Sequence, residues 1–344
     1  MIAVSGGGTG GHFFPAIAFI DYAKNKEKIK FIGAKRGIEY KLKDLIKVDS
    51  LFLNVYPFRG LGMKDKLKAV LSFISSQREI NRFLTEDFKA LVFGGYTSLP
   101  LGLNAIIKGK KLYVHEQNSI PSRTNRLLSK KAEKVFITFE YTRRYFKSAI
   151  RTGLPLRKEV KGKVSKEEAK EKLKLNPEKY TLLIFGGSQG ALFLNELTVK
   201  ICDKLPPEIQ ILLISGESHY EKFKHYEREN LKIIPFSLEM NIVFSASDFA
   251  ISRAGASAIT ELSCYAIPSI FIPFPYAVDD HQFYNAKEIE ELGGGIVIRQ
   301  EKATPEKILR GLENLLNNRD TFSSKFRSFF IEGAEENIYN QLLE

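Results

Sequence analysis

Two stretches place glycine, hydroxyl and imidazole groups where a polar ligand can be met: Gly6-Gly7-Gly8-Thr9-Gly10-Gly11-His12 and Gly186-Gly187-Ser188-Gln189-Gly190. Each follows an apolar run that reads as a buried strand (residues 2–5 and 181–185). Each leads into a helical pattern, residues 14–24 after the first and from 191 after the second. A strand, a glycine turn and a helix start together make an anion site, because glycine admits close approach and the free N–H groups and helix dipole face the ligand. Ser188 adds a hydroxyl donor. A tight turn without a ligand is the competing reading of either loop alone. The stronger indication is that there are two, each where a nucleotide-binding half-domain should begin. His12 sits at a helix start, where the dipole disfavours the imidazolium, so its chemical role is that of a neutral base; capping or packing is the alternative.

The elements around the first loop test one further reading. Gly6, Gly8 and Gly11 fit G-x-G-x-x-G, the dinucleotide fingerprint, which requires an acid at the end of the second strand to hold a ribose. That strand is residues 29–32, and Gly33-Ala34-Lys35-Arg36 follow it without a carboxylate. Lys35 and Arg36 could hold a 2′-phosphate, so an NADP oxidoreductase stays open as an alternative. Further strands fall at 51–55, 90–93, 111–114 and 135–138, the last of this half. Gly94-Gly95-Tyr96-Thr97-Ser98 and His115-Glu116-Gln117-Asn118 sit at strand C-termini, where a doubly wound sheet meets its ligand. Glu116 reads as structural and Asn118 as facing the ligand. Residues 64–83 form an amphipathic helix, read first as packed on the sheet. Phe58, Leu61 and Met63 precede it beside Lys64, Lys66 and Lys68, a set that could meet an anionic membrane.

Strand–helix alternation restarts after a hinge at 151–157. Strands are expected at 181–185, 210–215, 231–234, 248–252, 268–273 and 296–298. Residues 253–261 open a helix with small residues, so its first amides can reach a ligand. Glu261 stands about one turn in, where a carboxylate can take both ribose hydroxyls. The halves are a loose repeat of parallel α/β type, which implies a ligand cleft between two domains.

Composition agrees with two domains. The chain has 344 residues, 44% of them hydrophobic, enough for two cores. The first strand runs straight into the first loop, so no signal peptide is expected, and no apolar run is long enough to span a bilayer. Cys202 and Cys264 lie far apart, which suggests reduced thiols and neither a disulfide framework nor a zinc site. The net charge is +12, yet residues 1–150 carry 27 Lys and Arg against 12 Asp and Glu, and the remainder is slightly acidic. A basic half implies an anionic partner there, with a merely solvated surface as the competing reading.

Together Gly7-Gly8-Thr9-Gly10-Gly11-His12, His115-Glu116-Gln117-Asn118, Gly186-Gly187-Ser188-Gln189-Gly190-Ala191 and residues 253–261 resemble the MurG family of bacterial cell-wall glycosyltransferases, in order and at matching spacing. The resemblance implies a GT-B fold: two Rossmann-like, parallel-sheet α/β domains facing a cleft. It implies inverting transfer of GlcNAc from UDP-GlcNAc to the 4-hydroxyl of lipid I (undecaprenyl-pyrophosphoryl-MurNAc-pentapeptide), giving lipid II, without a metal or other cofactor. The domains are expected at 1–155 and 156–325, with 326–344 returning to the first. Partners would be UDP-GlcNAc, lipid I and an anionic membrane surface at the cytoplasmic face, with no nucleic acid.

Carried over by position, Ser188 would bind the diphosphate, Glu261 the ribose and the backbone around Ser237 the uracil. Ala256, Ser257, Ala258, Ile259 and Thr260 would offer helix-start amides, and Gln282 would hold sugar hydroxyls. Thr9, Gly10, Gly11 and Asn118 would close over the donor, and Arg157 at the hinge would reach the diphosphate. His12 would be the base. Three positions depart from the family: Gly153-Leu154-Pro155 where Gly-Asn-Pro is usual, Ser237 where an apolar residue is common, and His281-Gln282 where two glutamines stand, which leaves His281 without a role. The rivals are another GT-B enzyme on UDP-sugars, such as a diacylglycerol glycosyltransferase or a UDP-GlcNAc epimerase, the NADP oxidoreductase, and a non-catalytic basic adaptor.

Overall fold

A computed structural model describes residues 1–56, 63–187 and 190–344, with backbone alone over 63–71. Ser188 and the side chains of Lys64, Lys66 and Lys68 therefore lie outside the described residues. The chain forms two compact units: Met1–Arg157 with Ile331–Glu344, and Lys158–Phe330.

The first unit is built on seven strands: β1 (Ile2–Ser5), β2 (Ile29–Ala34), β3 (Asp49–Leu53), β4 (Lys89–Val92), β5 (Leu112–Glu116), β6 (Lys134–Ile137) and β7 (Ile150–Arg151). Their order across the sheet is β3-β2-β1-β4-β5-β6-β7, and every pairing is parallel. The central strands are buried throughout, as in Ile2-Ala3-Val4-Ser5, because helices cover both faces of a parallel sheet. Strand β7 was not expected: two residues are too short to carry a period. The first helix spans Gly10–Ala23, so it starts within the glycines and not at Phe14. Thr9 is its N-cap in extended conformation, with no amide bonded to its side chain.

The closing helix, Ala334–Leu343, packs on Gly10–Ala23. Ile338 and Leu342 join the cluster of Ile17 and Ile20, and the rings of Tyr22 and Tyr339 lie 6.0 Å apart. Phe326 and Phe329 are buried in the second unit, where the Phe326 ring meets Phe271 edge-on at 5.8 Å. The chain therefore crosses back after Phe330, not at residue 326.

The second unit carries β8 (Tyr180–Phe185), β9 (Ile209–Ile214), β10 (Leu231–Ile234), β11 (Phe249–Ser252), β12 (Ser269–Phe271) and β13 (Gly295–Val297). The order is β10-β9-β8-β11-β12-β13, again all parallel. Asp248 ties this unit together from a buried position. Its Oδ2 accepts the Thr181 amide at 2.9 Å, and its Oδ1 meets Lys166 at 2.6 Å and Arg319 at 2.9 Å.

In each sheet the order reverses once, between β1 and β4 and between β8 and β11. Such switch points open a crevice at the strand C-termini. Both glycine loops follow strands that border one.

At the end of β5, His115 is fully buried. Its Nε2 donates to the Gly153 carbonyl at 2.8 Å, and its Nδ1 accepts from Gln117 at 3.2 Å. Burial pulls its pKa down to about 4, against a smaller upward pull from Gly153. A histidine in the unfolded chain titrates near ~6.5, so on acidification the unfolded state takes the proton first. The stabilisation is complete above that value and is lost as pH falls toward 4. Urea unfolding at pH 7.5 and pH 5 should show a loss of about 2 kcal/mol that His115→Gln removes; equal slopes in the two chains would contradict this assignment.

Candidate functional site

In the first unit the candidate residues gather at the ends of β1, β4 and β5. His12 is half-buried in the first turn of Gly10–Ala23. Its Nδ1 lies 2.9 Å from Thr9 Oγ1, while Nε2 is shielded from solvent. Thr9 and Gly11 are exposed beside it. The imidazole fits against the turn that follows β4, where a Cβ on Gly94 would stand 2.9 Å from His12 Cδ2 and 2.9 Å from Asn125 Nδ2. Asn125 in turn donates to Glu116 at 2.8 Å.

Glu116 is a brace. Its carboxylate is fully buried and accepts the amides of Asn118 and Ser122, each at 3.0 Å, besides Asn125. Burial raises its pKa, and those donors oppose the rise. Asn118 is half-buried, and its carbonyl accepts from Thr142 at 2.9 Å. Arg157 is half-buried, its guanidinium 4.9 Å from the Phe14 ring centre.

The Gly8 amide donates to Glu39 Oε2 at 2.8 Å. The dinucleotide reading sought an acid after β2 that would hold a ribose. An acid is present five residues beyond the strand, and it points inward to the loop. A phosphate cradle needs that amide, so the NADP reading loses its geometry.

In the second unit the constellation surrounds β11 and the segment after β12. Gln282 Oε1 accepts the amides of Ala254 at 3.2 Å and Phe274 at 2.9 Å. Two N–H donors fix which end of the carboxamide is oxygen, and they leave the NH₂ group to donate elsewhere. Gly255 caps the helix Ala256–Cys264 without a side-chain bond. The free amides are narrower than expected, however: Ile259 already donates to Gly255 at 3.0 Å, and Thr260 is buried with its hydroxyl on the Ala256 carbonyl. Ala256, Ser257 and Ala258 hold the orphan donors of the first turn.

Glu261 is half-buried on the same helix. Ser237 follows β10, its hydroxyl accepting the Glu239 amide at 3.1 Å. His281 Nδ1 meets the Val278 carbonyl at 2.8 Å, a local turn contact.

Arg253 is a candidate site residue that no sequence pattern singles out. It is 8% exposed, and it donates to the carbonyls of Ile272 and Pro273 at 3.0 and 3.2 Å and to Gln300 at 2.6 Å. Among the described residues no carboxylate pairs with it. Burial lowers its pKa to about 10, so it stays charged at neutral pH and leaves an uncompensated positive charge at the end of β11. Only its place directly after a strand pointed to it.

Residues 2–137 match the glycosyltransferase family 28 N-terminal domain and residues 181–338 the family 28 C-terminal domain. Over the full length of both chains, this one is 60% identical to the UDP-N-acetylglucosamine--N-acetylmuramyl-(pentapeptide) pyrophosphoryl-undecaprenol N-acetylglucosamine transferase of Aquifex aeolicus (strain VF5). It is 36% identical to the protein of the same name from Sulfurihydrogenibium sp. (strain YO3AOP1), covering 99% of this chain and 97% of that one. The crystal structure of Acinetobacter baumannii MurG superposes with a TM-score of 0.79 at 24% identity, covering 99% of both chains.

This chain belongs to the MurG family. Its two parallel-sheet units are those of a GT-B glycosyltransferase. In this MurG-family chain the approach of the first two loops depends on Gly95. Gly95 adopts φ 78° and ψ 165°, a region essentially confined to glycine, and a Cβ there would lie 2.3 Å from the Gly7 carbonyl oxygen. Gly95→Ala should lower stability by at least about 1–3 kcal/mol from the backbone alone, read as a lowered urea midpoint; an unchanged midpoint would contradict the packing of Gly95 on Gly7.

Proposed function

We infer that this chain transfers GlcNAc from UDP-GlcNAc to the 4-hydroxyl of the muramoyl sugar of lipid I. The observation that carries the reading is the 60% identity, end to end, to the Aquifex aeolicus transferase.

The second unit takes the donor. The Gln282 NH₂ group donates to the sugar hydroxyls, Glu261 accepts both ribose hydroxyls, and the backbone at Ser237 meets the uracil. The diphosphate is stabilised by the second glycine loop with Ser188, by the amides of Ala256, Ser257 and Ala258, and by Arg157. Arg253 adds a fixed charge nearby. Preorganised donors and charges of this kind stabilise a leaving group as its charge develops.

From the first unit Thr9, Gly10, Gly11 and Asn118 close over the donor, and the acceptor meets His12. The acceptor oxygen attacks C1 of GlcNAc from the face opposite the diphosphate. The C1–O bond to UDP breaks with inversion, and the hydroxyl proton passes to His12 on its Nδ1 side, where Thr9 stands. A positioned base contributes roughly 10²–10⁴-fold.

The acceptor's lipid lies in a bilayer, which gives the basic first half its partner: a peripheral site on an anionic leaflet at the cytoplasmic face. No helix among the described residues is long and apolar enough to cross a membrane.

The deciding assay is transfer of labelled GlcNAc from UDP-GlcNAc to a short-chain lipid I analogue, with and without EDTA. Transfer in both arms is expected; its absence with UDP-GlcNAc still bound would point to another acceptor. His12→Ala should lower kcat about 10²–10⁴-fold with the UDP-GlcNAc Kd unchanged. Gln282→Glu keeps the oxygens that hold Ala254 and Phe274 but removes the donor. It should weaken UDP-GlcNAc about tenfold by calorimetry while leaving UDP alone unaffected, a difference of ~1.4 kcal/mol. Replacing Lys64, Lys66 and Lys68 together by glutamine should weaken sedimentation with anionic vesicles. Unchanged sedimentation would move the membrane contact elsewhere.

A further inference from the structure

Glu39 lies in a short helical turn, Ile38–Lys41, after β2. Its side chain is fully buried. Oε2 accepts the Gly8 amide at 2.8 Å, and Oε1 accepts the Ala34 amide at 3.0 Å. Three glycines form its socket. A Cβ on Gly7 would stand 2.3 Å from the carboxyl carbon, one on Gly37 2.1 Å from Oε2, and one on Gly33 2.8 Å from Cγ. Glycine is required at these positions by the space the carboxylate occupies.

Among the described residues no cation pairs with Glu39. A buried carboxylate without a counter-charge is costly, and among the described residues only the two backbone amides it accepts hold it. Local rules are broken in this way where function holds the residue in place. The Gly8 amide is the last before Thr9, the residue that caps the first helix and places its hydroxyl 2.9 Å from His12 Nδ1. The carboxylate therefore anchors the loop one residue upstream of the Thr9–His12 pair.

We propose that Glu39 is a positioning residue of the transfer reaction: by holding the Gly8 amide it sets the first loop so that Thr9 and His12 meet the acceptor hydroxyl. This rests on the reading of His12 as the base. Glu39 itself touches no substrate. Its carboxylate does at the first loop what a ligand phosphate does in a dinucleotide site, so the loop arrives already closed on an anion belonging to the chain.

The test is a double-mutant cycle on the full chain. In Glu39→Gln one oxygen becomes NH₂ and faces a backbone N–H, so at most one of the two bonds survives. We expect kcat to fall at least tenfold, with the KM for UDP-GlcNAc within twofold of the unaltered chain. On a His12→Ala background the same change should cost less than threefold, because the residue acts through His12. A loss repeated in full on that background, or a Glu39→Gln chain within twofold of normal kcat, would overturn the proposal. His12→Ala alone judges the base. Full activity there removes the base reading, whereas low activity with an additive double variant removes only the role of Glu39.

Should Glu39→Gln fail to fold, amide exchange in the unaltered, 15N-glycine-labelled chain decides. Gly8 lies in a partly exposed loop, so its amide is slow to exchange only if Glu39 holds it. Protection of a hundredfold or more supports the clamp, and exchange at the free-peptide rate overturns it.

Discussion

The reversal of strand order constrains everything else in this protein. Parallel strands joined by right-handed crossovers send their helices to one face or the other. Where the direction of winding changes, two adjacent strand ends are left uncovered. In the first unit these are the ends of β1 and β4, followed by the first glycine loop and by Gly94-Gly95; in the second they are the ends of β8 and β11, followed by the second glycine loop and by Arg253. Backbone amides, small residues and polar side chains collect there because no helix packs over those ends. Elsewhere at the strand ends, buried groups such as His115 and Glu116 are satisfied internally.

The fold was legible because its signals are local and repeated. Apolar strand runs bounded by glycine turns located twelve of the thirteen strands among the described residues, with ends shifted by a few residues. Strand β7 was missed because two residues carry no pattern, and the start of the first helix was misplaced because glycine is a poor helix former. In this case the exposed Thr9 cap and the packing of the helix on Phe31 and Phe93 decide the boundary.

The candidate site was legible where the pattern puts a polar side chain at a helix start, as with His12 and Gln282. It was illegible where a role depends on direction. Nothing in the one-dimensional pattern distinguishes Glu39 pointing inward from an acid pointing at a ribose. Nor does it separate Thr260, whose hydroxyl turns back onto the Ala256 carbonyl, from its neighbours with free amides. Contacts distant in sequence, such as His115 with Gly153 or Arg253 with Gln300, leave no periodic trace.

The two switch points are braced by groups that differ in charge, and this has a chemical consequence. In the first unit the brace beside the switch point is a buried carboxylate, Glu39 on the Gly8 amide. In the second the braces are a guanidinium and a carboxamide, Arg253 on strand-end carbonyls and Gln282 on strand-end amides. Fixed charge inside a protein is screened far less than charge on its surface, so Glu39 and Arg253 also set the potential of the crevice beside them. Negative potential favours a group that must take up a proton, as His12 does in the proposed reaction. Positive potential favours a leaving diphosphate. Two copies of one α/β plan can thus serve the two halves of a displacement, because the residues that hold their loops in place differ in charge.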